Sequence, residues 1–157
     1  MPRKLGQPPP PAGYGAVAVQ RPGEDAGQPE RAIFEISGQI IAGRTTHVKT
    51  TTNNVAELTA FTRGLQWAHK HDIADGHPVC MRYDSTYAAM IATGVWKAKK
   101  HKAMAEEARS AWRSLHAKLR GRLWTKHVKG HSGDNWNNRA DRLANEGRAG
   151  RYRYEPR

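Results

Sequence analysis

Apolar and polar positions change rhythm along this chain, and the changes place most of its elements. Ala16-Val17-Ala18-Val19 is an uninterrupted apolar run and reads as a buried strand within Gly15 to Gln20. Arg21-Pro22-Gly23-Glu24-Asp25-Ala26-Gly27 breaks that run with proline, glycine and acids, a turn signal. Ala32-Ile33-Phe34-Glu35-Ile36-Ser37 resumes with rough alternation, and Gly38 marks a candidate bulge before Gln39-Ile40-Ile41-Ala42. Two strands about one turn predict an antiparallel hairpin. Hydroxyl-rich Thr45-Thr46 and Thr50-Thr51-Thr52 then lead into a helix.

The period changes there to that of a helix. Val55, Leu58, Phe61, Leu65 and Ala68 recur at helical spacing, with Asn54 as the expected cap and Glu57 three residues on in capping-box position. Pro78 to Asp84 predicts a short strand ending in an acid, and Ser85 to Thr93 a short helix closed by Gly94. Ala103 to Arg120 predicts an amphipathic helix with Met104, Ala108, Ala111, Trp112 and Leu115 inward. Leu123 to Val128 is a strand, Gly130-His131-Ser132-Gly133 a loop, and Asn135 to Glu146 a last helix. Strands alternating with helices in this order predict an α/β domain, a mixed sheet with helices against its faces. The expected organisation is a Pro/Gly-rich loop over 1–14, the domain over 15–147 and a basic tail over 148–157.

Composition adds a partner. With 26 Lys+Arg against 14 Asp+Glu in 157 residues, the net charge is +12, which favours a polyanion such as nucleic acid over a merely solvated surface. The segment Trp96-Lys97-Ala98-Lys99-Lys100-His101-Lys102 concentrates that charge beside an aromatic. No apolar run is long enough for a membrane span, and the opening residues lack the apolar core of a signal peptide, so an intracellular protein without a membrane partner is expected. The single cysteine, Cys80, excludes an internal disulfide and a Cys-rich zinc site.

Candidate chemistry lies in three acids at element boundaries, Glu57, Asp84 and Asp141. Each has a structural alternative. Glu57 suits a capping box, and Asp84 could cap the following helix. Asp141 has Asn137, Asn138, Ala144 and Asn145 as helical neighbours, so no cation pairs with it along the helix, and it is either exposed or aimed at a metal. His131 alone reads as a polar loop histidine, and its spacing from His127 across a strand end does not make a helical zinc pair.

Three stretches together resemble type 1 ribonuclease H. They are Thr52-Asn53-Asn54-(x)2-Glu57-Leu58, Asp84-Ser85-(x)-Tyr87 and Val128-Lys129-Gly130-His131-Ser132-Gly133-(x)3-Asn137-(x)3-Asp141-(x)-Leu143-Ala144. Leu5-Gly6-Gln7-Pro8 with Ala12-Gly13-Tyr14-Gly15 resembles the turn after that family's first strand. The resemblance implies a ribonuclease H-like fold and endonucleolytic cleavage of RNA in an RNA–DNA hybrid with Mg²⁺ or Mn²⁺. Glu57, Asp84 and Asp141 would then be metal ligands, hard oxygens suited to a hard cation. His131 would assist proton transfer or product release. Thr52, Asn53, Asn54, Thr86 and Asn137 would touch nucleic acid, and Trp96, Lys97, Lys99 and Lys100 would form a shortened basic protrusion gripping phosphates.

The resemblance also implies a central strand ending in Asp-Gly-Ser before Leu5. That Asp falls near Met1, so the strand and its acid are expected to be absent from this chain, leaving interior sheet edges for another segment. The alternating tail Arg151-Tyr152-Arg153-Tyr154-Glu155, a strand of another chain and residues upstream of the given sequence are the candidates. Two functions follow: a hybrid-specific nuclease, or a ribonuclease H fold kept as an RNA-binding component of a ribonucleoprotein such as an organellar ribosome.

Overall fold

In a computed structural model, residues 10–20, 30–42, 52–71, 77–129 and 135–156 are described, and all structural statements concern them. The elements are β1 (Ala12–Gln20), β2 (Arg31–Ile40), α1 (Asn53–Lys70), β3 (Val79–Tyr83), α2 (Thr86–Thr93), α3 (Lys102–Lys118), β4 (Leu123–His127), α4 (Asn135–Arg148) and β5 (Arg153–Pro156). The first eight follow the order that the hydrophobic rhythm predicts, and the fold is mixed α/β.

β1 and β2 pair antiparallel from Ala12 opposite Ile40 to Gln20 opposite Arg31, with one register irregularity between Ala18 and Val19. The bulge expected at Gly38 is not there, because β2 runs unbroken through it. Gly38 instead makes room for its neighbours. A side chain at Gly38 would meet the Tyr14 ring, and one at Gly147 would run into the Gly38 carbonyl oxygen.

Alternation along β2 divides its side chains between two helices. Phe34, Ile36 and Ile40 are buried on the side of α1, where Phe34 packs against Trp67 with ring centroids 5.0 Å apart. On the other side, Glu35 meets Arg139 of α4, and the Gln39 side chain donates to the Arg148 carbonyl. α4 crosses β1 so closely that a Cβ on Gly15 would sit 2.5 Å from both the Ala140 oxygen and the Ala144 nitrogen. Only glycine permits that approach.

Glu35 is 2% exposed and sits beneath this crossing. Its carboxylate accepts from Arg139 Nε at 2.7 Å and Nη2 at 2.8 Å, and from Arg153 Nη1 at 3.5 Å. The pair supplies the bidentate geometry that a buried carboxylate requires. It raises the Arg139 pKa above its ordinary value, first through this hydrogen bond and against the opposing effect of burial.

The tail is a strand, but not beside β1. β5 pairs antiparallel with β2, Arg153 opposite Ser37 and Tyr154 opposite Ile36, giving the order β1-β2-β5. Its ionic contacts account for the place: Arg153 reaches Glu35 in β2 and Glu146 in α4. A second sheet holds β3 and β4 in parallel, Val79 opposite Leu123 through Tyr83 opposite His127. Among the described residues no ladder joins β1 to β3.

α1 lies between the parts, touching β1, β2, β3, α2 and α3. Val55, Leu58, Phe61, Leu65 and Ala68 are all buried, as their spacing predicts. Thr52, rather than Asn54, caps the helix by accepting from the Val55 amide at 3.3 Å. The helix thus starts earlier than a cap at Asn54 requires, so Glu57 falls beyond the first turn and closes no capping box. Trp112, expected inside, is only half-buried beside a fully buried Leu115.

Candidate nucleic-acid interface

Asp84 follows β3 directly and is exposed. Its neighbour Tyr83 is held by edge contacts to Phe61 at 6.4 Å and His127 at 5.4 Å, and its carbonyl accepts from the Val128 amide at 2.7 Å. Asp84 does not cap α2, because Ser85 does, accepting from the Ala88 amide at 3.3 Å. Glu57 is half-buried one helical turn before Phe61, on the side of α1 that faces the end of β3. Asp141 is half-buried in α4, in the turn between Ala140 and Ala144 that rests on Gly15.

Thus two acids flank the β3 end and the third rides on the helix that crosses β1. Among the described residues, however, no three His, Cys, Asp or Glu side chains stand together as a metal-binding group. His131 lies outside the described residues.

The expected nucleic-acid contacts converge more clearly. A groove of about 630 Å³ is lined by Asn54, Tyr87, Ile91, Val95, Trp96, Lys97, Lys99, Lys100 and His101. The start of α1 and the basic segment are far apart in sequence and share this one concavity. α2 brings them together. Its αL cap at Gly94 (φ 84°) turns the chain, and the Trp96 amide donates back to the Met90 carbonyl at 3.0 Å. Arg109 of α3 secures the turn from the far side by donating to the Thr93 carbonyl at 2.6 Å. Trp96 is 48% exposed with its lysines beside it.

Thr52 and Asn53 lie exposed at the same end of α1, and Thr86 is exposed at the start of α2. Asn137 is half-buried in α4, one turn before Asp141, and does not line the groove.

Two lining residues, Ile91 and Val95, carry no nucleic-acid expectation from their sequence positions, whereas His101 lies in the basic Trp96–Lys102 segment. Tyr87 stands in the Asp84-Ser85-(x)-Tyr87 stretch, which is its sequence signal. Ile91 and Val95 read as ordinary apolar residues, and His101 gains its place from an αL conformation (φ 54°) before α3. Burial raises the Tyr87 pKa above that of a free phenol.

The family model for RNase H matches residues 6–149 of the chain. The chain belongs to the RNase H family. Among solved structures, the RNase H1 of the halophilic archaeon Halobacterium salinarum NRC-1 is 26% identical with a TM-score of 0.57, over 92% of this chain and 90% of that one. LC11-RNase H1, isolated from compost by a metagenomic approach, shares the fold at 23% identity and a TM-score of 0.52, over 88% of this chain and 95% of that one. The protease-reverse transcriptase of prototype foamy virus shares it at 19% identity and a TM-score of 0.50, over 94% of this chain but 22% of the viral one. No match is found among the curated proteins.

RNase H proteins generally use divalent metal. The oxygens of Glu57, Asp84 and Asp141 have the right chemistry for a hard cation. Magnesium is usually held by one or two carboxylates together with substrate phosphates, so these acids would supply only part of its shell.

Proposed function

We propose that this RNase H protein binds RNA–DNA hybrid along the groove between the start of α1 and the Trp96–Lys100 segment. The observation that supports this is the convergence of Asn54, Trp96, Lys97, Lys99 and Lys100 on one concave surface. The roles follow from the side chains. Three ammonium groups meet phosphates as mobile point charges, displacing counterions from the duplex. The Trp96 ring offers an apolar face to a sugar or base edge. Asn53 and Asn54, at the exposed helix start, present amides to sugar and base edges.

Cleavage of the RNA strand is the activity the family implies, with Glu57, Asp84, Asp141 and His131 as the residues that would perform it. A second reading, in which the fold binds structured RNA inside a ribonucleoprotein without cutting, draws on the same basic groove. Another chain completing the sheet would suit either reading.

The test is fluorescence anisotropy of a labelled hybrid against the purified chain across salt concentrations, paired with a cleavage assay in Mg²⁺ or Mn²⁺. Replacing Lys97, Lys99 and Lys100 by Ala should lower the slope of log K against log salt by about one for each phosphate deprived of its ammonium partner. An unchanged slope would sink the proposed groove. Cleavage abolished by Asp84→Asn would establish the nuclease, whereas binding without cleavage would select the second reading.

A further inference from the structure

The Arg151-Tyr152-Arg153-Tyr154 sequence has no role in the groove, yet the fold holds it rigidly in the open. Tyr154 is fixed in place. Its ring meets Phe34 edge-on at 4.8 Å, its hydroxyl is 2.9 Å from His71 Nε2, and it remains 39% exposed. Lys70 Nζ stands 5.8 Å from the centroid of the same ring. Tyr152 is 72% exposed, the most exposed of the large hydrophobic side chains described. The Ser37 hydroxyl donates to the Arg151 carbonyl at 3.3 Å, which fixes the backbone just before Tyr152.

The charges around these rings divide into two sets. Arg153 is engaged with Glu35, Glu146 and Glu155 and is structural. Lys70, over the Tyr154 ring, and Arg151, next to Tyr152, are exposed cations beside them. Two outward tyrosines among cations form the combination that single-stranded nucleic acid uses: aromatic faces for successive bases, and positive charge along the phosphates. The Tyr154 ring is held before any ligand arrives, so little of its side-chain freedom is lost on binding.

The geometry points to a second binding surface, formed by Tyr152, Tyr154, Arg151 and Lys70, for single-stranded nucleic acid running on from the duplex held in the groove. This extends the proposed function and rests on it for the duplex half. The two surfaces lie toward opposite ends of α1, Asn54 at one and Lys70 at the other. At 1.5 Å per residue they are about 24 Å apart along the helix. That distance is roughly seven stacked nucleotides at 3.4 Å each. A hybrid carrying a single-stranded flank of about that length would reach both surfaces.

Anisotropy with three labelled probes tests this in the full chain: a blunt hybrid, the same hybrid with a twelve-nucleotide oligo(dT) extension at either end, and free oligo(dT). An extension of one polarity should tighten binding, and Tyr152→Ala with Arg151→Ala should remove that gain while blunt binding stays unchanged. The expected loss is about five- to tenfold, the lower part of the range for stacking on one exposed ring. Tyr152→Phe, which keeps the ring, should retain the gain. If no extension tightens binding, or if the gain survives the substitutions, the surface serves something other than single strands and the inference fails, even with blunt binding intact. Failure of blunt binding with Tyr152-dependent capture of free oligo(dT) would overturn the groove and leave this surface standing.

Discussion

Arg139→Met should be among the most damaging single substitutions outside the apolar core. It removes two charge-assisted bonds, those at 2.7 and 2.8 Å, from a carboxylate, that of Glu35, that is 2% exposed and that Arg153 also approaches at 3.5 Å. Breaking one side of a buried pair typically costs about 3–5 kcal/mol, because the surviving charge stays desolvated. In a chain of this size about 1 kcal/mol moves the melting temperature by about 2–4 °C, so a fall of roughly 6–20 °C is expected. Converting the carboxylate as well, in Glu35→Gln with Arg139→Met, removes the stranded charge and should recover much of the stability, since uncharged replacements for a buried pair are often tolerated. Urea unfolding followed by the fluorescence of the five tryptophans would measure all corners of the cycle. A loss below about 1 kcal/mol for Arg139→Met would refute the reasoning. So would a double variant as unstable as the single one. Because this pair ties α4 to β2 near the crossing at Gly15, the result also reports how firmly Asp141 is placed.

Two further predictions concern single side chains. Thr52→Ala should cost about 1 kcal/mol through loss of the cap bond to the Val55 amide, whereas Asn54→Ala should leave stability nearly unchanged and weaken hybrid binding; equal destabilisation by both would contradict the cap assignment. Tyr14 has a pKa raised above 10.0, first by burial and against the lowering influence of Arg63. The folded state therefore keeps that proton longer than the unfolded chain as pH rises, and the associated stability is complete below about pH 10 and lost as pH climbs through the native value. Tyr14→Phe should flatten the alkaline limb of a stability-versus-pH curve, and an unaltered limb would exclude this contribution.

The sequence by itself determined the elements and the family. The apolar period of Val55, Leu58, Phe61, Leu65 and Ala68 could belong only to a helix with one buried face, and all five are buried. Gly94 after Thr93 announced an αL cap, whereas residues 151–155 read as a basic tail whose alternation only suggested a strand. These are local matters, settled by dihedral preference and side-chain spacing within a few residues. Exchanging Asn54 for Thr52 as cap moves a helix start by about two residues, a difference that propensity alone does not resolve because both residues cap well.

What tertiary structure decided is where distant segments meet. The tail's alternation is equally consistent with any sheet edge; the buried carboxylate of Glu35, reached by Arg153, placed it beside β2. Gly38 had the composition of a bulge, but the Tyr14 ring and Gly147 use the space it leaves on an unbroken strand. The groove joins Asn54 to Lys97–Lys100 through α2 and the turn at Gly94, and it enlists Ile91 and Val95, whose types carry no nucleic-acid signal of their own. The acids behave the same way. The family resemblance named Glu57, Asp84 and Asp141 as a set, but whether three carboxylates can share an ion depends on distances across separate elements, which packing of α1, β3 and α4 controls and sequence separation does not.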